Sequence, residues 1–191
     1  MAQDRLFDAS VAEFLDRLAS DAPTPGGGAA AALVGAISAA LGQMACALTL
    51  GKPKFAEREA EVQPLASRLR RAALMLRELV EEDAAAYEAL SQALKLDRNH
   101  PDRAARVARA AELAAGVPLE TVAVTRQVLA DLRRLTDLAN PSLRCDLQAA
   151  LHLAGAAMQA AAENVRANLP LLPPEQRARV ERELSALLGA D

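Results

Sequence analysis

Gly26-Gly27-Gly28-Ala29-Ala30-Ala31-Ala32-Leu33-Val34-Gly35-Ala36-Ile37-Ser38-Ala39-Ala40-Leu41-Gly42-Gln43-Met44-Ala45-Cys46-Ala47-Leu48-Thr49-Leu50-Gly51 runs for 26 residues without a charge, and 15 of them are Ala or Gly. That length would cross a bilayer. Alanine and glycine drive a segment only weakly into lipid, however, and Ser38, Gln43 and Thr49 interrupt the apolar run. No second segment of this kind is available to pair with it, so a buried central helix is the expectation rather than a membrane span. Its periodicity agrees. Gly28, Ala32, Gly35, Ala39, Gly42, Cys46 and Thr49 recur by steps of four and three, a seam of small side chains along one helix face. Ala30, Val34, Ile37, Leu41, Met44 and Leu48 form a bulkier seam on another face. Two packable faces predict a helix enclosed on both sides. The small seam admits a close neighbour, and the same helix of a second subunit is one candidate, which predicts a homo-oligomer.

Outward from this segment the chain reads as helix throughout. Ser10-Val11-Ala12-Glu13 has the capping-box spacing and opens a short helix to about Ala19. Asp21-Ala22-Pro23-Thr24-Pro25-Gly26-Gly27-Gly28 then breaks it. After Gly51-Lys52-Pro53-Lys54-Phe55 a long helical pattern extends to about Leu96, with Pro64 placed to start or kink it. Asp97-Arg98-Asn99-His100-Pro101 ends that element, a helix over Asp102 to Ala115 stops at Gly116, and Pro118 opens another to about Ala139. Ser142 caps a helix to about Leu169, and Pro173-Pro174 starts a charged terminal helix closed by Gly189.

Composition gives the same answer. The 46 Ala and 31 Leu face only 17 Val, Ile and Thr together, so helix formers dominate and a β-rich fold is excluded. The expected architecture is all-α, a single-domain bundle of six or seven helices with a buried Ala/Gly-rich central helix. Net charge is −3 with acids and bases interspersed, unlike the one-sided basic surface of a nucleic-acid binder. Cys46 and Cys145 are isolated, which supports neither a disulfide framework nor a zinc site, and no metal constellation is present. Met1 to Asp8 carries acids and no apolar core, so no signal peptide is expected and a cytoplasmic location fits.

Several residues depart from the packing pattern. Asp83 falls in the stripe Leu65, Leu69, Ala72, Leu76, Leu79, Ala86, Leu90, where a carboxylate is costly unless paired. It is a buried Asp satisfied by a partner, one that helix drift exposes beside Glu81 and Glu82, or a functional group. Asp146, Ala150, Ala154, Ala157, Ala161, Asn164 and Asn168 form another stripe. Such a stripe suits either an interhelical polar network or a flat ligand lying on an alanine floor. Gly26, Gly27 and Gly28 meet a helix N-terminus, where free N–H groups can bind an anion, although a close backbone crossing explains the glycines equally. Lys52 and Lys54 follow the same helix's C-terminus, where cations are favourable without a ligand or could hold substrate carboxylates. The glycines and lysines lie at opposite ends of a helix roughly 36 Å long at about 1.5 Å per residue, so they can share a site only through a second subunit. His152 lies about 120° around its helix from Asp146, which makes a dyad a poor fit, and His100 sits in a linker.

These departures also carry a resemblance. Glu13-Phe14-Leu15, Leu18-Ala19-Ser20 and Pro23-Thr24-Pro25-Gly26-Gly27-Gly28-Ala29-Ala30-Ala31-Ala32-Leu33 resemble the opening of the cyclodeaminase/cyclohydrolase family of folate one-carbon enzymes. The likeness continues through Leu48-Thr49-Leu50-Gly51-Lys52-Pro53-Lys54-Phe55, Asp83-Ala84-Ala85-Ala86-Tyr87, Val117-Pro118-Leu119, Asn140, Asp146 and Asn164-Val165-Arg166-Ala167-Asn168-Leu169. Ala29, Pro53 and the closing Ala167-Asn168-Leu169-Pro170 depart from the usual pattern. The resemblance implies an all-helical homodimeric domain over residues 1–191 that takes a tetrahydrofolate derivative and no tightly bound cofactor. It implies Asp83 as the catalytic group and Asp146, Asn164 and Asn168 as recurrent polar positions. The expected activity is formiminotetrahydrofolate cyclodeaminase, with Lys52 and Lys54 on the glutamate tail and a separate formiminotransferase as a candidate partner. A methenyltetrahydrofolate cyclohydrolase, and a helical dimer that binds folate or protein without turnover, are the alternatives.

Overall fold

The computed structural model describes residues 5–189, so Met1 to Asp4, half of the stretch in which no signal peptide is expected, and the last two residues of the expected 1–191 span lie outside it. Six α-helices are formed by the described residues: α1 (Val11–Leu18), α2 (Gly27–Ala47), α3 (Glu59–Leu94), α4 (Arg103–Leu138), α5 (Arg144–Asn168) and α6 (Pro174–Gly189). The result is an all-α bundle built around α2, which packs on α3, α4 and α5. α2 is apolar and long enough to cross a membrane by composition, but more than half of its most apolar stretch is buried against these neighbours.

The small seam of α2 sets the packing. A Cβ built on Gly35 would stand 2.7 Å from Thr125 Cγ2, and one on Gly42 would stand 2.7 Å from Leu132 Cδ2 and 2.9 Å from Leu69 Cδ1. Glycine at these two positions is therefore what lets the leucines of α3 and α4 reach the α2 backbone. The pairings also give direction. Gly28, Gly35 and Gly42 face Asp83, Leu76 and Leu69, so α3 runs antiparallel to α2, while Gly35 and Gly42 face Thr125 and Leu132, so α4 runs parallel to it. The Ser38 hydroxyl donates to the Ala150 carbonyl at 2.8 Å, and Gly27 abuts Asn164, so α5 is antiparallel as well.

Four expectations need correction. The small seam is taken by this chain's own α3 and α4, not by a second copy of α2. The bulkier seam is not enclosed: Ile37, Met44 and Leu48 are exposed, because three neighbouring helices already fill the other sides of α2. The break expected at Gly116 and Pro118 is absent, since α4 is continuous from Arg103 to Leu138. Proline at 118 lacks the N–H that would bond the Ala114 carbonyl, and the Asn168 amide of α5 donates to that carbonyl at 2.7 Å instead. Ser142 is not a cap; Asn140 accepts from the Ser142 N–H at 3.1 Å and caps a short 3-10 turn ahead of α5. The capping box at Ser10 forms as read, with the Ser10 side chain accepting from the Glu13 N–H and the Glu13 carboxylate from the Ser10 N–H.

Candidate functional site

The N-terminus of α2 has no cap of its own, because its N-cap residue is Gly26. The missing acceptor arrives from α3: Asp83 Oδ2 accepts the Ala29 N–H at 2.9 Å. A Cβ on Gly28 would lie 2.0 Å from Asp83 Oδ1, so the carboxylate occupies the space a side chain there would need. The two open readings of the sequence thus combine. Gly28 is a close-crossing glycine, and the anion that meets the free N–H groups is the chain's own Asp83. Burial is the larger influence on this carboxyl and raises its pKa above the ordinary aspartate value; the Ala29 N–H, which favours the charged form, opposes it and loses.

A cavity of about 240 Å³ opens on this carboxyl. It is bounded by the Pro23–Gly28 turn, by Asp83, Tyr87 and Leu90 of α3, by Ala114 of α4 and by Asn164 and Asn168 of α5. Asn164 Nδ2 donates to the Ala160 carbonyl at 2.9 Å. Asn168 Nδ2 donates to the carbonyls of Ala114 at 2.7 Å and Asn164 at 3.0 Å. Both hydrogens of the Asn168 amide are thereby committed, and its oxygen is the group left to meet a donor. A carboxyl whose pKa is raised by burial therefore stands among amide acceptors and bare backbone, which suits a ligand carrying N–H edges and a nitrogen to be protonated.

Of the residues singled out in the sequence, Gly26, Gly27, Gly28, Asp83, Asn164 and Asn168 come together here. Lys52, Lys54 and Asp146 do not. Lys52 and Lys54 are exposed just past the C-terminal end of α2, where the Lys54 ammonium lies 5.8 Å from the Phe55 ring centroid. Asp146 is in the first turn of α5, beside the C-terminal half of α2 and 18 residues from Asn164, about 27 Å of helix. The alanines between them are not a ligand floor: Ala150, Ala154, Ala157 and Ala161 are at most 1% exposed beneath the neighbouring helices. Their small size serves helix contact.

The sequence pattern assigns no role to two further residues, Tyr87 and Asp131. Tyr87 lines the cavity one turn beyond Asp83; its signal was the i, i+4 spacing and its being the single Tyr of the chain. Asp131 is 4% exposed and receives Arg68 Nη2 at 2.9 Å and Nε at 3.1 Å, with Gln127 Nε2 at 3.2 Å. This pair is remote from the cavity and satisfies itself. Burial, with the charge of Asp131, pushes the Cys46 thiol up to about 11, which leaves it inert at neutral pH. Among the described residues no group of three or more His, Cys, Asp and Glu side chains is placed to hold a metal.

A model of the formiminotransferase-cyclodeaminase family matches residues 10–186. The chain is similar to a methenyltetrahydrofolate cyclohydrolase of Methylorubrum extorquens, with 36% identity over 184 residues, covering 94% of this chain and 88% of that protein. It is also similar to the formimidoyltransferase-cyclodeaminase of Mus musculus, with 29% identity over 191 residues. That alignment covers 97% of this chain but 35% of the mouse protein, so the chain spans about a third of that relative's length. The crystal structure of a formiminotetrahydrofolate cyclodeaminase from Thermotoga maritima matches with a TM-score of 0.88 at 29% identity, covering 95% of this chain and 89% of that one.

Proposed function

Since this chain belongs to the formiminotransferase-cyclodeaminase family, we propose that it is a folate one-carbon enzyme, a formiminotetrahydrofolate cyclodeaminase. The observation that carries this reading is the Asp83 carboxyl, half-buried at a cavity, held by a single N–H and with its pKa raised by desolvation. In the reaction, N10 of 5-formiminotetrahydrofolate attacks the formimino carbon, a tetrahedral carbon forms between N5 and N10, and the C–N bond to the former imino nitrogen breaks. Ammonia departs and 5,10-methenyltetrahydrofolate remains. The leaving nitrogen needs a proton, and Asp83 supplies it as general acid. Asn164 and Asn168 accept from N–H donors of the substrate and fix its orientation.

The cavity lining contains no Lys or Arg, although the substrate ends in carboxylates. Lys52 and Lys54 serve that tail, with Asp146 as a further polar contact, if a second copy lies antiparallel along the exposed Ile37, Met44 and Leu48 face of α2. The centre of α2 is residue 37, so a two-fold axis there sets one copy's C-terminal lysines beside the other's Gly26–Gly28 turn. A cytoplasmic homodimer, without nucleic acid, membrane or tightly bound cofactor and supplied by a separate formiminotransferase, completes the proposal.

The cyclohydrolase is the second reading, favoured by the 36% identity to a relative that this chain covers over 88% of its length. There water attacks the methenyl carbon, the bond to N5 breaks, 10-formyltetrahydrofolate forms, and Asp83 acts first as base. The deciding experiment offers the purified protein 5-formiminotetrahydrofolate and 5,10-methenyltetrahydrofolate while methenyl absorbance and ammonia are followed. Methenyl appearing with ammonia supports the cyclodeaminase. Accelerated methenyl loss to the 10-formyl product replaces it with the cyclohydrolase. Folate binding without either change overturns both.

A further inference from the structure

The chain has four aromatic residues, three Phe and one Tyr. Phe14 and Phe55 are buried, and the Phe7 ring is covered by the Arg77 guanidinium, whose carbon lies 4.4 Å from the ring centroid. Tyr87 alone has a ring face to offer. It is 47% exposed, although its stripe neighbours Ala86 and Leu90 are each 6% exposed. No described residue holds its hydroxyl by a hydrogen bond. Packing therefore gives no account of an aromatic at this position. The cavity does: Tyr87 lines it, and the i, i+4 spacing sets it on the Asp83 side of α3, one turn or about 6 Å along the axis.

We propose that Tyr87 is the wall against which the fused bicyclic ring of a reduced folate stacks, holding the reacting nitrogens over Asp83. The inference rests on the folate reading above. A cavity of about 240 Å³ falls below the roughly 300–1,000 Å³ of sites that enclose a drug-sized ligand, so it takes one part of the substrate. The bicyclic ring is that part, because its edge carries several N–H donors for the Asn164 and Asn168 oxygens, whereas the aminobenzoyl ring carries only the N10–H that takes part in the reaction. Its reacting N5 belongs to the same ring system. Tyr87 is thus a positioning residue that supplies a flat apolar face, and its hydroxyl is dispensable.

The test measures binding of 5-formyltetrahydrofolate, a stable reduced folate, to the wild type, Tyr87→Phe and Tyr87→Ala by calorimetry. Because Tyr87 is the single tyrosine, fluorotyrosine incorporation gives one fluorine resonance, which reports contact at this residue alone. Stacking predicts a shifted resonance on binding, affinity within about two-fold in Tyr87→Phe, and a loss of roughly ten-fold or more in Tyr87→Ala with unchanged helical circular dichroism. Wild-type binding with an unmoved resonance and full affinity in Tyr87→Ala overturns the stacking role and leaves the folate reading intact. So does a Tyr87→Phe loss equal to that of Tyr87→Ala. No binding by the wild type overturns the folate reading itself, and the Tyr87 role with it.

Discussion

Asp83 does two jobs through its two oxygens. Oδ2 closes the start of α2 by accepting from Ala29, while Oδ1 lies in the space vacated by the missing Gly28 side chain. Asp83→Asn keeps an acceptor for the Ala29 N–H but carries no transferable proton. The fold is expected to survive with turnover lowered about 10²–10⁴-fold, checked by steady-state rates beside circular dichroism. The raised carboxyl pKa fixes the sign of the pH dependence. The native state favours the protonated form, so the contribution of Asp83 to stability is full below the ordinary aspartate pKa and is lost as pH rises through its higher native value. Urea midpoints of wild type minus Asp83→Asn should therefore decline across that window. If the difference rises with pH, the shift has the wrong direction. Gly28→Ala forces a Cβ onto the carboxylate, with an expected cost of about 1–3 kcal/mol. Adding Asp83→Ala should recover part of that stability, which denaturation of the double variant measures, and should not recover activity.

At the scale of elements, α4 and α5 are coupled through one carbonyl. Pro118 orphans the Ala114 oxygen inside an uninterrupted helix, and Asn168 satisfies it from the end of α5. Asn168→Ala leaves that buried acceptor bare, at an expected cost of about 1–3 kcal/mol. In a Pro118→Ala background the restored N–H takes the Ala114 carbonyl, and the same Asn168→Ala change should cost clearly less. A double-mutant cycle in urea reads the difference, and additive costs would show the two residues to be independent. This pair also explains a misread element. Gly116 and Pro118 are a sound local stop signal, but the compensating amide lies 50 residues away in sequence, beyond any window that registers helix ends. Asn168 was legible as a polar departure on α5, and its partner was not.

For the molecule as a whole, the antiparallel pairs Gly28–Asp83 and Gly27–Asn164 carry α3 and α5 side chains to the start of α2. The same topology leaves Lys52 and Lys54 at the other end of about 31 Å of helix. The proposed dimer makes this separation a test. Asp83→Asn chains mixed one-to-one with Lys52→Ala/Lys54→Ala chains, each nearly inactive alone, should regain roughly a quarter of wild-type activity after subunit exchange, because half the dimers are mixed and each holds one intact site. No recovery, with exchange verified by mass-tagged chains, would show that the lysines do not complete a partner's site, and full activity of the lysine variant alone would remove them from the site.

Ala and Leu content, the Ser10–Glu13 box, the seams of α2 and the register of Asp83 are local and periodic, and they are legible along the chain as an all-α bundle, its central helix, and a carboxylate out of place on an apolar stripe. Which helix fills which seam is a long-range matter. Small residues on α2 specify that something comes close, not whether it is α3 and α4 of the same chain or a second α2; the leucines at 69 and 132 decided it by filling the space above Gly42. The alanine stripe of α5 likewise suited a ligand or a helix equally until its neighbours were in place. Tertiary structure alone brought Asp83, Tyr87, Asn164 and Asn168 to one cavity and left Asp146 and the lysines outside it. The physical reason is that helix periodicity fixes the face on which a side chain stands, whereas only the direction in which helices pack fixes which faces meet and at which end.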